Sequence, residues 1–344
     1  MHHVLQIPEL LRIIFEHGER EAVVQCAQVC RMLSEVALDV LWHTVDSLPA
    51  FANLLAPVKK ENNNDGVVYE FDPLPGFKDW SRFQSTYCDR VRVLRFKDHD
   101  SFSPLLNMIQ RLRSLSPLLP KLHTLDWEGN HNRFLDSAIF MHEGVRDYCL
   151  RYSLQGHEVT SIAEAVAEAI TTRMPSLTAL DLHVYPPEEY VEPLLTVFRN
   201  LPTLAEITIP AFTDIFRILS CLSSSPKLKQ LTFFDCGDDE AVTDTGIALQ
   251  GEIFAPLVEL SICRVSYSNL SSFLSQHRLE GLRIFRVYSL AIEERKAVEQ
   301  LLSSFAPNLV ELDIGHGVGP PATADNTNID FQHITFDDFR AISR

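Results

Sequence analysis

One short phrase recurs along this chain and constrains its fold more than any other feature. The phrase reads proline, any residue, leucine, two residues, leucine or isoleucine, one residue, and an apolar residue. Its clearest copies begin at Pro120, Pro175, Pro202, Pro226 and Pro307. Weaker copies lack the proline and begin at Val91, Val145, Leu257 and Leu282. A phrase that returns in this way predicts a single structural unit stacked many times.

The spacing of the copies defines the size of that unit. Their first apolar anchors stand at positions 91, 122, 145, 177, 204, 228, 257, 282 and 309, about 27 residues apart on average. The phrase predicts a short strand, and segments with helical periodicity lie between copies, at 161–170, 189–198, 212–222, 270–274 and 293–305. Ser161 and Glu164 have the spacing of a capping box at the first of these helices. The chain is therefore expected to be an α/β protein.

The phrase and its period resemble those of the leucine-rich repeat. In two copies, Asn130 and Cys236 fall where that repeat uses Asn or Cys to bond the backbone at the bend. The resemblance implies an α/β solenoid with short parallel strands on its concave face and helices on its convex face. We expect irregular repeats of this kind over residues 81–316.

Three short helices are predicted ahead of the repeats. Pro8 suits the first turn of a helix, in which apolar residues recur at helical spacing, namely Leu10, Leu11, Ile14 and Phe15. Gly18 is expected to end this helix, a second begins near Arg20, and Ser34 is expected to cap a third. Three helices of this length bury little surface, so we expect them to pack against a partner.

Residues 5 to about 46 resemble the F-box in its fungal, basidiomycete-like form. The resemblance is carried by Ile-Pro-Glu-Leu-Leu-x-x-Ile-Phe-Glu at 7–16, Cys-Ala-x-Val-Cys-Arg at 26–31 and Ala-Leu-Asp-x-Leu-Trp at 37–42. Two positions depart from the family's pattern. Gly18 stands where the family usually has Leu, and Leu33 where it usually has Trp.

The F-box resemblance implies docking onto the Skp adaptor of a cullin-RING ubiquitin ligase. By the family's pattern, ten residues would form the docking surface: Ile7, Pro8, Leu10, Leu11, Ile14, Phe15, Val24, Val29, Cys30 and Leu33. A different interpretation is that these helices only cap the repeats that follow.

Composition limits the partners of the chain. Its 344 residues are enough for about two domains, and a net charge of −16 argues against nucleic acid or an anionic membrane surface as the partner. The seven cysteines are scattered and contain no Cys-x-x-Cys pair. Pro8 and Glu9 interrupt the first apolar stretch, which argues against a signal peptide. We expect a protein of the cytoplasm or nucleus.

The predicted domain organisation has four parts. An F-box-like helical domain covers 1–58, including a further short helix over 48–58. The polar, Asn-rich run at 59–66 is typical of a loop, and 59–80 is interpreted as a linker or surface insertion. The repeats follow over 81–316. A glycine- and proline-rich C-terminal tail covers 317–344, with a short helix predicted at 331–342.

The strand phrase also predicts a binding surface. Residues on either side of the second anchor point away from the core and would line the concave face. Seven of these eighteen residues are acidic: Asp126, Asp147, Asp181, Glu206, Glu259, Glu311 and Asp313. One interpretation is a site for a basic protein substrate, whose binding weakens as salt rises. The other is that exposed positions of an acidic protein are often Asp or Glu.

No motif for catalysis, phosphate binding or metal binding stands out, so we expect neither a catalytic residue nor a cofactor. Cys26 and Cys30 are one helical turn apart and are expected to pack rather than to bind a metal. The function that follows is a substrate-recognition adaptor of a ubiquitin ligase. The alternatives are a repeat scaffold whose F-box-like head does not engage a ligase and an enzyme of undetected type.

Overall fold

The computed structural model describes residues 7–63, 66–97, 100–112, 116–129, 134–153, 159–185, 188–212, 215–235, 254, 256–267, 269–271, 279, 281–289, 309–316 and 334–335. The chain forms two compact units, Met1–Tyr148 and Cys149–Arg344. The predicted domain boundaries near 58 and 80 both lie inside the first unit.

The first unit begins with the three predicted helices, α1 Pro8–Glu16, α2 Arg20–Cys26 and α3 Arg31–Leu41. Their shared core consists of Leu11, Phe15, Val23, Leu33, Val36, Ala37 and Leu41. Cys26 and Cys30 pack against this core, as the sequence predicted. The prediction that Ser34 caps the third helix is wrong, because α3 already begins at Arg31 and Cys30 is its N-cap residue.

The remainder of the first unit mixes strands and helices. In chain order the elements are β1 Thr44–Val45, α4 Leu48–Leu55, β2 Val58–Asn63, β3 Gly66–Phe71, α5 Phe77–Thr86, β4 Val93–Lys97, α6 Ser103–Leu112, β5 Thr124–Gly129 and α7 Phe134–Ser137. Strands β1, β4 and β5 are parallel neighbours, with Val45 opposite Leu94 and Leu94 opposite Leu125. The central residues of this sheet, Leu94 and Leu125, are fully buried.

An antiparallel hairpin occupies the segment interpreted as a loop. β2 pairs with β3 from Val58 opposite Phe71 to Asn63 opposite Gly66. The prediction of irregular structure at 59–63 is therefore wrong: Val67, Val68 and Tyr69 favour a strand, and pairing extends it through the Asn-rich run. Residues 72–76 are irregular, and α5 then begins at Phe77.

The second unit follows a simpler order. Strand β6, Asp147–Ser153, crosses the boundary between the units. After it come α8 Val159–Arg173, β7 Ala179–Tyr185, α9 Val191–Asn200, β8 Glu206–Pro210, α10 Ile215–Leu222, β9 Gln230–Phe234, β10 Glu259–Cys263, β11 Ile284–Ser289, β12 Glu311–His316 and β13 Ile334–Thr335. Strands β7 to β12 are parallel neighbours in chain order, and β13 pairs antiparallel with β12.

The predicted strands are confirmed at all nine copies of the phrase. Each strand from β4 to β12 begins two residues after its first anchor, as β4 does at Val93 after Val91. In the second unit the second anchors lie opposite one another and are buried: Leu180, Ile207, Leu231, Leu260, Phe285 and Leu312. The repeat phrase thus forms an α/β fold with parallel strands whose apolar residues share one side.

The helix predictions have mixed outcomes. α8 begins at Val159, so Ser161 does not cap it, and α9 and α10 begin at Val191 and Ile215, inside their predicted ranges. Residues Ile334–Thr335 form β13, so the helix predicted at 331–342 is wrong at these two positions. Asn130, Cys236 and the helix predicted at 293–305 lie outside the described residues, as does most of 317–344.

No helix in the described part of the chain has the length and apolar character to cross a membrane.

Candidate functional site

The first three helices carry a concentration of exposed apolar side chains, which we call the head surface. Half of the twelve large apolar residues that are exposed in the described structure belong to it: Ile7, Leu10, Ile13, Ile14, Val24 and Val29. Val29 is 67% exposed and Ile13 is 54% exposed. Single exposed apolar residues are ordinary on proteins, but a concentration of six within 23 consecutive residues makes the head surface a candidate interaction surface.

Helical geometry explains why these side chains are exposed. In α1, Leu11 and Phe15 are four residues apart and both face the core shared with α2 and α3. Leu10, Ile13 and Ile14 lie on the remaining sides of the same helix. Apolar residues therefore cover a larger part of the circumference of α1 than the side that packs in the core.

The structure separates the ten predicted docking residues into two groups. Six are exposed: Ile7, Pro8, Leu10, Ile14, Val24 and Val29. Leu11, Phe15 and Leu33 are buried in the core of the three helices, and Cys30 is half-buried. The structure also adds Ile13, which the sequence comparison with the F-box pattern did not include.

Gly18, which departs from the F-box pattern, lies in the turn between α1 and α2 and suits it. A Cβ atom at this position would lie 3.2 Å from the carbonyl oxygen of Ile14, closer than such contacts normally come. The amide of Gly18 donates to the carbonyl of Phe15 at 3.2 Å. Glycine thus allows the chain to leave α1 in a tight turn that a leucine would crowd.

Arg90 ties the helical head to the chain that leads into β4. Its side chain is 11% exposed and forms ion pairs with Glu35 and Asp39 of α3. It also donates to the carbonyl oxygens of Glu35 and Thr86 at 2.9 and 2.6 Å. Burial opposes the charge of Arg90, but the carboxylates of Glu35 and Asp39 outweigh burial, so the pKa of Arg90 is raised.

A polar cavity of about 540 Å³ opens beside this connection. It is lined by Arg12, Glu16, Asp39, Val40, His43, Thr44, Arg90, Arg92 and His123. The rings of His43 and His123 meet edge to face, with centroids 6.4 Å apart. Partial burial, His123 and nearby arginines lower the pKa of His43, which keeps this imidazole neutral.

The predicted acidic surface lies on the strands. Asp126 and Asp147 belong to the first unit, and the other five carboxylates, Asp181, Glu206, Glu259, Glu311 and Asp313, belong to the second. Glu206 and Glu311 are exposed, while the others are half-buried. The residues between them along each strand are buried, so the carboxylates occupy the outer side of the sheet.

Several of these carboxylates are held by neighbours within the sheet. Arg286 of β11 donates to Glu259 of β10 at 2.5 Å and to Glu311 of β12 at 2.7 Å. Tyr288 donates to Asp313 at 2.6 Å. In the first unit, Thr124 donates to Asp147 at 2.9 Å. The row is therefore less negative than its composition predicted, because part of its charge is neutralised by a cation in the same row.

A second polar cluster joins β6 and β7 of the second unit. His183 Nε2 lies 2.8 Å from Asp181 Oδ1, and the Cys149 thiol donates to Asp181 Oδ2 at 3.2 Å. Sequence reasoning placed Cys149 and Asp181 on the outer side of the strands but did not bring them together or include His183. The repeat register indicates that Cys149 and Asp181 lie side by side, because each is the third residue of its strand.

Comparison with known proteins adds no family assignment. No protein-family model matches the sequence, and no curated protein matches it.

Proposed function

We propose that this chain is a substrate-recognition adaptor of a Skp-cullin-F-box ubiquitin ligase. In this proposal, α1 to α3 form an F-box-like head that docks onto a Skp-type adaptor. The later strands and helices form a leucine-rich-repeat solenoid that holds a protein substrate. The chain would supply proximity between substrate and ligase, and the bond-forming chemistry would belong to its partners.

The head surface is the observation that carries the proposal. All six of its residues occupy α1, α2 and the adjacent turns, where the F-box resemblance also lies. Covering a large apolar side chain that is about half exposed stabilises a complex by about 1 kcal/mol. The head surface thus offers several such contributions to a partner with a complementary apolar groove.

The repeat strands support the second half of the proposal. Nine strands start at the same position of the repeat phrase, and their outer sides carry polar residues in every copy. Stacked strands of this type present a continuous surface built from many repeats. Exposed Glu206 favours a substrate with Lys or Arg at its surface, whose binding should weaken as salt rises from about 50 to 300 mM.

Co-elution with a purified Skp-type adaptor tests the docking step. The intact chain should form a stable 1:1 complex. Ile14→Asp should abolish co-elution, because Ile14 is 47% exposed on α1 and the complex would bury a carboxylate in an apolar contact. Val67→Asp is the control: Val67 is 37% exposed in β3 and lies outside residues 5–46, which carry the F-box resemblance.

Failure of the folded, intact chain to bind any Skp-type adaptor would contradict the proposal. The remaining interpretation would then be a repeat scaffold whose helical head has another partner. Equal loss of binding in the Ile14 and Val67 variants would also contradict it, because the docking surface would not be the head surface.

A further inference from the structure

Three potential metal ligands of different chemistry meet on the outer side of the second unit. One donor atom from each of Cys149, Asp181 and His183 lies within 4.8 Å of the other two. All three residues are half-buried. Among the described residues, this is the only group of three or more His, Cys, Asp or Glu side chains with such a spacing.

The strand geometry explains how residues so far apart in sequence come together. β6 and β7 are neighbours in the sheet, and Cys149 and Asp181 occupy the same position of the repeat. His183 is two residues after Asp181 on the same strand, so both side chains point to the same side. Two adjacent strands thus supply three ligands from a rigid support.

We propose that Cys149, Asp181 and His183 bind a divalent transition-metal ion, with Zn²⁺ the best match. Thiolate, carboxylate and imidazole are the three ligand types that zinc takes in proteins. A thiolate and a carboxylate together balance the charge of the ion, and the His183 imidazole would supply a nitrogen ligand. Binding releases the thiol proton of Cys149, so the affinity should fall as the pH falls.

The distances are compatible with insertion of the ion. In a tetrahedral zinc site, neighbouring ligand atoms lie about 3.3 to 3.6 Å apart. Asp181 Oδ1 lies 2.8 Å from His183 Nε2 and Asp181 Oδ2 lies 3.2 Å from Cys149 Sγ. One ligand atom from each residue lies within 4.8 Å of the other two, so shifts of about 1 Å bring them to the separations of a zinc site. Three protein ligands leave a fourth position for water or for an atom of a bound partner.

The surroundings orient the ligands. The His183 ring stacks on Phe234 with centroids 4.4 Å apart, which restricts the imidazole plane. Asp181 lies between the other two proposed ligands, with one carboxylate oxygen 2.8 Å from His183 Nε2 and the other 3.2 Å from Cys149 Sγ. Arg151 interacts electrostatically with Asp181 and is a cation that opposes binding of the ion.

Cobalt binding to the full chain tests this proposal independently of any ligase partner. Co²⁺ reports thiolate ligation through a charge-transfer absorption band that oxygen and nitrogen ligands do not produce. The intact chain should bind one Co²⁺ with this band, and equimolar Zn²⁺ should displace it. Cys149→Ala should lose the band, and His183→Ala should weaken binding by at least tenfold.

The matched control is Cys221→Ala, which removes another half-buried cysteine of the same unit. This variant should keep both the band and the affinity. The proposal is overturned if the folded chain shows no thiolate band at micromolar Co²⁺, if the band survives in Cys149→Ala, or if Cys221→Ala removes it. Loss of Skp binding with cobalt binding intact would reject the ligase proposal and leave the metal site standing.

Discussion

At the scale of single residues, the adjacent leucines Leu10 and Leu11 of α1 have different environments. Leu11 is 1% exposed and packs in the core of the three helices, whereas Leu10 is 38% exposed and belongs to the head surface. The two side chains differ by one position, and a helix turns by about 100° at each residue. One residue therefore stabilises the head, and its neighbour is available to a partner.

Truncating these leucines should separate folding from docking. Leu11→Ala leaves a cavity in a small core and should lower the free energy of unfolding by about 2 to 4 kcal/mol. Leu10→Ala should change stability by less than about 1 kcal/mol and should weaken adaptor binding instead. Chemical denaturation and an adaptor-binding assay measure the two effects. Equal destabilisation by both variants would contradict the assignment of Leu10 to the surface.

His142 should make stability depend on pH in the first unit. Burial lowers its pKa, against opposing effects of the Leu119 carbonyl and Glu143, and the amide of Gly144 donates to its Nδ1 at 3.0 Å. The unfolded chain therefore binds the proton more readily than the folded chain. The stabilisation is complete above about pH 6.5 and is lost as the pH falls through the folded pKa.

Denaturation midpoints at pH 7.5 and 5.5 test this expectation. The intact chain should lose more stability on acidification than His142→Gln, because the variant has no imidazole to protonate. Identical losses in both proteins would show that His142 is not responsible.

At the scale of elements, charged side chains join neighbouring strands and helices. Arg286 lies between Glu259 and Glu311, and so one guanidinium connects β10, β11 and β12. Burial opposes its charge, but the hydrogen bonds that Arg286 donates to Glu311 and Glu259 outweigh burial and raise the pKa of Arg286. Without Arg286, two carboxylates of the same row would face each other across β11.

Arg286→Met should therefore lower stability by about 1 kcal/mol at low salt, a modest value because Glu311 is 49% exposed. The loss should shrink as salt rises, since salt screens the repulsion left between the two glutamates. Denaturation at two salt concentrations measures it. Arg283→Met is the control, because Arg283 is exposed at the residue before β11. A salt-independent loss would contradict this role.

Much of the element order was predictable from the sequence, and the reasons for the exceptions are specific. The strands were predicted because each phrase places buried anchors such as Leu231 and Phe233 two residues apart. The β2–β3 hairpin was not, because its strand-forming residues are in β3 and pairing extends the strand into Asn-rich β2. The Cys149–Asp181–His183 cluster was missed because its ligands meet only through the pairing of adjacent repeats.

At the scale of the whole molecule, the proposed functions lie in different parts of the chain. The predicted docking residues lie in the first 33 positions, whereas five of the seven predicted substrate-binding carboxylates lie in the second unit. The net charge of −16 is compatible with a basic substrate but does not help an apolar docking contact. Docking should therefore depend little on salt, and substrate binding should depend on it strongly.

Calorimetric binding of a Skp-type adaptor to two valine variants tests the central claim most directly. Val29 of the head surface and Val310 before β12 are 67% and 66% exposed, so replacing either by Asp makes the same chemical change at equal exposure. Val29→Asp should raise the Kd at least tenfold, a loss of about 1.4 kcal/mol, while Val310→Asp should leave it unchanged. If both variants bind like the intact chain, or if none of the three binds, the head is not a docking module for this adaptor.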